Sequence, residues 1–192
     1  MKLSLNSPIF FRQGLSNQRQ VPQLNDFLRR YQSGERDFRG IDLSDESLSW
    51  ISLRGIDLSD AVLCLTMLEG SILADSNFSR ANLSRVDLTA TNLKRCNLRG
   101  ANMSCADLRG ADLSCADLTG ANLYGANLKG AILAHAKLTE VNLQQADLEN
   151  SHLFRVDLLN SHVNSAVFAG ATGLTTPQKK WLQSKGAIKI LL

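Results

Sequence analysis

The sequence predicts a stacked solenoid closed at each end by a short helix, and three observations carry that reading. From Phe38 to Phe168 every fifth residue is a large apolar one. The positions just before each of these centres keep a fixed small-then-polar pattern, and amphipathic segments flank the periodic region. Of the 27 centres, 22 are Leu, three are Phe, and Met and Val supply one each. The series includes Phe38, Leu43, Phe78, Leu83, Leu98, Met103, Leu118, Leu123, Leu138, Leu158 and Phe168. Neither ordinary element accommodates this period. Five residues turn an α-helix by about 140°, so the stripe would wind around the whole surface, and on a strand it would change face at every step. A solenoid returns each fifth residue to an equivalent environment, because each short unit buries its apolar face against its neighbours.

The rest of the unit describes its interior. Two residues before the centre, Ala occupies 12 of 27 positions, eight of them in a row from Ala101 to Ala136. One residue before the centre, Asp or Asn occupies 17 of 27. Each unit thus offers one large and one small inward residue, separated by a short polar one suited to tight turns. Ala beside Leu leaves a narrow core with no space for a cofactor, and none is expected.

The motif is A-(D/N)-L-x-x, as in Ala81-Asn82-Leu83-Ser84-Arg85 and Ala121-Asn122-Leu123-Tyr124-Gly125. In unbroken register over 132 of 192 residues, it resembles the pentapeptide-repeat protein family. The resemblance implies an all-β solenoid, a right-handed quadrilateral β-helix of about 6–7 coils with four pentapeptides per coil. At a layer spacing of ~4.8 Å the rod would be roughly 32 Å long.

Along the chain, residues 1–20 read as a poorly structured amino-terminal segment and 21–36 as a capping helix. Residues 37–170 form the repeat region, and 171–192 a carboxy-terminal cap with its own short helix. In the first cap Val21, Leu24, Phe27, Leu28 and Tyr31 share a helical face, Pro22 suits the first turn and Ser33-Gly34 stops it. The lead-in Gly34-Glu35-Arg36-Asp37-Phe38 resembles that of many cyanobacterial family members. In the second cap Thr176 is the expected N-cap before Pro177, Trp181 and Leu182 cover the last coil, and Gly186 ends the helix. The apolar tail from Ala187 to Leu192 either adds to this cap or pairs with a second molecule. Arg36 and Glu46 fall in small inward slots of the first coil, which is therefore expected to be distorted or to open onto the cap.

Charge and composition narrow the function. Residues 37–168 carry 11 Lys and Arg against 16 Asp and Glu, a net of −5, whereas the ends carry 10 against 2. The rod is mildly acidic and not a polyanion, and no nucleic-acid partner is expected. No apolar stretch approaches a membrane span, and Ile9-Phe10-Phe11 is too brief for a secretory core, so a cytoplasmic location is expected. Cys64, Cys96, Cys105 and Cys115 have no CxxC or zinc spacing and read as structural or incidental thiols. His135, His152 and His162 fall on separate faces or layers, and the carboxylates are outward and evenly spaced. No enclosed acid–base pair, metal set or phosphate loop emerges, and the protein is expected not to be an enzyme.

Departures from the repeat then mark the candidate surface. Val62, Leu65, Met67 and Ile72 occupy outward positions on three successive faces of one coil, with Trp50 one coil below. This band is either a partner site or is covered by residues 1–33 folding back. Arg80, Arg85, Lys94, Arg95 and Arg99 form a loose belt read as solvated surface, and Asn82, Asn102, Asn122 and Asn142 a stacked ladder on one face. The chain is expected to be a non-catalytic scaffold or protein–protein interaction module, with an unidentified protein partner and a role in bacterial regulation. The alternative, from one branch of the family, is a DNA mimic that protects or inhibits DNA gyrase or another type II topoisomerase. Homodimerisation through an end of the rod is the alternative use of the caps.

Overall fold

The structure, a computed structural model, describes residues 22–191. The segment 1–20, Val21 and Leu192 lie outside the described residues. Parallel bridges join each pentad to the one twenty residues on, from Asp37↔Asp57 through Asp87↔Asp107 to His152↔Thr172. Twenty residues therefore make one coil of four pentads, and equivalent residues stack in columns. No continuous strand forms among the described residues. Each pentad contributes a single bridge residue, because the residue two after every centre has positive φ and turns the chain. Nine of these 27 positions are Gly and the rest are not, with φ near 60° throughout. The coil imposes this conformation whatever the side chain, although for an L-residue it costs about 1–2 kcal/mol.

Every amide of a regular pentad has an acceptor, as the unit around Leu83 shows. Leu83 N–H donates to Asn102 O and Arg85 N–H to Ser104 O in the next coil. Asn82 N–H donates back to Ala61 O, and Val86 N–H closes the turn on Leu83 O. The remaining amide, Ser84 N–H, donates to the Asn82 side-chain oxygen at 3.2 Å. All 17 Asp and Asn residues at that position accept in this way, from Asp37 to Asp157. The repeat selects Asp and Asn there because a short side-chain oxygen satisfies the one amide that neither neighbouring coil reaches.

The interior is a column of buried Leu with Ala between. All the pentad centres are buried, as is the run Ala101 to Ala136. In several of the small slots that hold a polar residue, the hydroxyl donates to the coil below: Thr66 to Leu43 O, Ser71 to Leu48 O and Thr91 to Leu68 O. Buried Cys96 fills one such slot, and burial pushes its thiol up to about 12.

Helix α1, Pro22–Gln32, covers the first coil. Phe27 is fully buried with its ring 4.8 Å from Phe38, Tyr31 OH donates to Arg54 O, and Leu24 and Leu28 are half-buried against the core. Of the two expectations drawn from Arg36 and Glu46, a distorted first coil or one opening onto the cap, the first is not met, since the four bridges of that coil keep register. Arg36 escapes the interior by laying its guanidinium 4.0 Å from the Tyr31 ring centroid. Glu46 stays half-buried at the open end, where burial and Asp45 push its pKa up.

At the other end, α2, Thr176–Ser184, buries Leu182 and half-buries Trp181 over the last coil. Its N-cap is Thr175, one residue before the expected Thr176; Gln178 completes a capping box by accepting the Thr175 N–H. The tail adds to this cap. Ile188 pairs in parallel with Val167, standing in for a further coil on that face.

A core this narrow should be sensitive in both directions. Leu123→Ala is expected to lower stability by about 2–5 kcal/mol, and Ala126→Leu, which overfills the facing slot, by about 1–3 kcal/mol. Urea denaturation of the full chain measures both.

Candidate functional site

The longest run of pentads without that side-chain acceptor lies in the second coil. At the position that normally holds Asp or Asn, three consecutive pentads carry Val62, Met67 and Ile72. None has an oxygen to offer, so the amides of Cys64, Glu69 and Ala74 lose the acceptor that Ser84, Thr89 and Lys94 keep one coil later. The same coil places Leu65 at a left-handed corner with φ 61°, and the coil below places Trp50 at one with φ 63°. Gly, Asn and Asp tolerate that conformation; for Leu and Trp it is uncommon and strained.

What the chain receives is an exposed apolar band. Trp50 is 68% exposed, Leu65 49%, Met67 47% and Ile72 44%. Val62 is only half-buried, held between Asp42 and Asn82 in its column, so it forms the edge of the band and not its face. The Trp50 indole runs along the rod over Gly70, directly above it in the corner column. A Cβ on Gly70 would overlap the ring, so Gly70 is what leaves room for Trp50 there. The pattern recovers at Asn82, Asp87 and Asn92, which confines the band to one layer and its lower neighbour. Helix α1 packs across the end of the rod, and the band stays uncovered by any described residue.

Sequence reasoning missed the acidic rim of this band. Asp45 lies one coil below Leu65 in the same corner column, Glu46 follows it, and Glu69 sits between Met67 and Gly70. The basic belt, by contrast, is largely neutralised. Arg80 makes a two-pronged pair with Asp60 and Arg95 with Asp75, each twenty residues apart. These bonds hold both aspartates below the usual carboxylate range and raise the guanidiniums. Lys94 pairs with Asp112 and Arg99 with Asp117, leaving Arg85 as the member of the belt without an ion pair among the described residues. The twenty-residue column was the sequence signal that could have found the Arg80–Asp60 and Arg95–Asp75 pairs.

The remaining candidates do not converge. Asn102, Asn122 and Asn142 each donate a side-chain amide to the Asn one coil below, at 3.0–3.3 Å, so the ladder is structural. His152 Nδ1 lies 2.9 Å from Thr172 Oγ1, and His135 packs edge-on against Phe154. Among the described residues no group of three His, Cys, Asp or Glu side chains is placed to hold a metal ion. A shallow groove of about 430 Å³ lies between the last coil and α2, lined in part by Leu159, His162, Trp181 and Lys185. No described helix is long and apolar enough to cross a membrane.

Comparison with known proteins gives a consistent setting. The family pattern described as pentapeptide repeats matches in eight copies, at residues 47–85, 81–120, 91–130, 116–155 and 131–170. No curated protein is significantly similar in sequence. Among solved structures, the pentapeptide repeat protein Rfr23 from the cyanobacterium Cyanothece 51142 is 27% identical, covering 72% of this chain and 97% of that one with a TM-score of 0.48. HetL, involved in heterocyst differentiation regulation in the cyanobacterium Nostoc sp. strain PCC 7120, is 26% identical over 86% of this chain and 92% of its own, with a TM-score of 0.26. QnrB1, a plasmid-mediated fluoroquinolone resistance protein, is 18% identical over 78% of this chain and 97% of its own, with a TM-score of 0.39.

If the band sacrifices local stability, restoring the repeat there should return it. Leu65→Gly is expected to stabilise the chain by about 1 kcal/mol by removing left-handed strain. Met67→Asp should add about 0.5–1.5 kcal/mol by giving the Glu69 amide its acceptor. Chemical denaturation of each variant against wild type checks the sign.

Proposed function

The chain belongs to the pentapeptide-repeat family, and we propose that it is a non-catalytic interaction module whose working surface is the apolar band of the second coil. The rod, a right-handed quadrilateral β-helix in the sense the family implies, holds that surface rigid. One observation carries the reading. Three adjacent pentads give up the amide acceptor that most pentads use, and two bulky apolar residues accept left-handed corners, while Trp50, Leu65, Met67 and Ile72 stay exposed. An exposed cluster of large apolar side chains on adjoining faces is the mark of a binding surface.

The partner this surface suits is a protein. Trp50 is of the kind that anchors such contacts and Met67 of a kind enriched at interfaces, and the acidic rim favours a partner carrying basic groups beside its apolar ones. No pocket in the rod suits a small substrate, since Leu and Ala fill the interior. The topoisomerase-directed alternative needs an anionic, DNA-like surface. Here many outward carboxylates are paired with Arg and Lys from neighbouring layers, which disfavours it. Free thiols at Cys64, Cys96, Cys105 and Cys115 support the cytoplasmic assignment, because such compartments keep them reduced.

An affinity capture comparing wild type with Leu65→Asp/Met67→Asp tests the surface. The double variant should lose its specific partner by about tenfold or more in affinity, equivalent to about 1.4 kcal/mol. Retention of every partner at wild-type strength would remove the band from the interface. A gyrase supercoiling assay with stoichiometric protein should show no effect.

A further inference from the structure

We infer that the band is also an intramolecular docking site for the amino-terminal segment, with Ile9, Phe10 and Phe11 seated on Trp50, Leu65 and Met67 and Arg12 on the acidic rim. The inference rests on the reading of the band as a binding surface and names its resting occupant. Three features of the chain point to this segment.

The first is chemistry. Asp45, Glu46 and Glu69 border the band and form no ion pair among the described residues. Glu46 is half-buried and its ionised form is disfavoured by that burial and by Asp45, so a cation placed there would relieve both penalties. Arg85, one layer above Leu65, is the basic residue of the same corner column, leaving three acids against one cation. Residues 1–21 hold Lys2, Arg12 and Arg19 with no Asp or Glu, and the apolar run Ile9-Phe10-Phe11 directly precedes Arg12. An apolar cluster followed by a cation is the complement of an apolar band with an acidic rim.

The second is reach. The chain from Phe11 to the start of α1 at Pro22 can extend up to roughly 36 Å at ~3.3 Å per residue. The second coil lies only on the order of 10 Å from the capped end at the layer spacing of a sheet. The third is what α1 leaves undone: it seals the end of the rod through Phe27 and Tyr31 and leaves Trp50, Leu65, Met67 and Ile72 exposed. Tethering makes the segment's effective concentration high, on the order of millimolar for a short linker, so weak contacts suffice to occupy the band. A protein partner would then have to displace it.

Trp50 reports the occupancy. In full-length protein carrying Trp181→Phe, Trp50 is the single tryptophan, and its acrylamide quenching is compared with and without Phe10→Asp/Phe11→Asp. Docking predicts severalfold greater quenching and a red-shifted emission in the aspartate variant, with the thermal midpoint of the solenoid retained. Equal quenching in the two proteins would overturn the inference. Shielding that disappears on dilution would assign the occupant to a second copy of the chain, which also overturns the intramolecular form. No partner protein is present in this measurement, so its failure leaves the partner-binding reading standing; that reading falls separately if Leu65→Asp/Met67→Asp retains every partner.

Discussion

Everything in this molecule depends on one constraint: a left-handed residue at every fifth position turns the chain before a strand can develop. Each pentad therefore has only one bridge residue in each direction, and its five amides must be satisfied by three different devices. Neighbouring coils take three of them, the turn takes one, and the Asp or Asn side chain takes the last. A Leu from each pentad fills the centre, and a small residue beside it allows the coil to be narrow. Sequence period, turn conformation and core packing are three expressions of the same geometry.

Because the constraint is so regular, exceptions to it carry information that a globular protein would hide. Val62, Met67 and Ile72 interrupt the amide accounting on three faces in succession, and Leu65 and Trp50 occupy corners where Gly or a short polar residue would be relaxed. Later pentads interrupt it as well, with Ile132 beside Lys137 and His162 beside Val167, but no bulky apolar corner accompanies them. Three adjoining apolar interruptions meet two bulky apolar corners only here, one corner in the second coil and one, Trp50, in the coil below. There the unfavourable local terms accumulate on one exposed surface, bordered by carboxylates that form no ion pair among the described residues. The surface arises from the rod's geometry together with a few residues that depart from its consensus, and it requires no pocket.

Much of this was legible before any coordinates. The centres from Phe38 to Phe168, the helical face of Leu24, Phe27, Leu28 and Tyr31, and the outward placement of Leu65, Met67 and Ile72 follow from counting residues along the chain. What counting by five does not convey is the column, which runs by twenty. Arg80 with Asp60 and Arg95 with Asp75 look like scattered charges along the chain and become pairs only when coils stack. Depth within a column is equally invisible: Val62 is half-buried because Asp42 and Asn82 flank it. The N-cap fell one residue early, at Thr175, because both threonines precede Pro177 and only the reciprocal bond with Gln178 distinguishes them. Arg36 and Glu46 pointed to a first coil either distorted or opened onto the cap; the backbone keeps its register, with Arg36 turned onto the Tyr31 ring and Glu46 half-buried.

The central claim is that the second coil gives up satisfied amides to expose apolar side chains. Amide hydrogen exchange measured residue by residue tests it most directly, comparing Cys64, Glu69 and Ala74 with Ser84, Thr89 and Lys94 in the equivalent positions one coil later. The account predicts that the first three exchange markedly faster, since no side-chain oxygen accepts their N–H. Equal protection in the two coils would contradict it and would return the band to ordinary variation in the repeat.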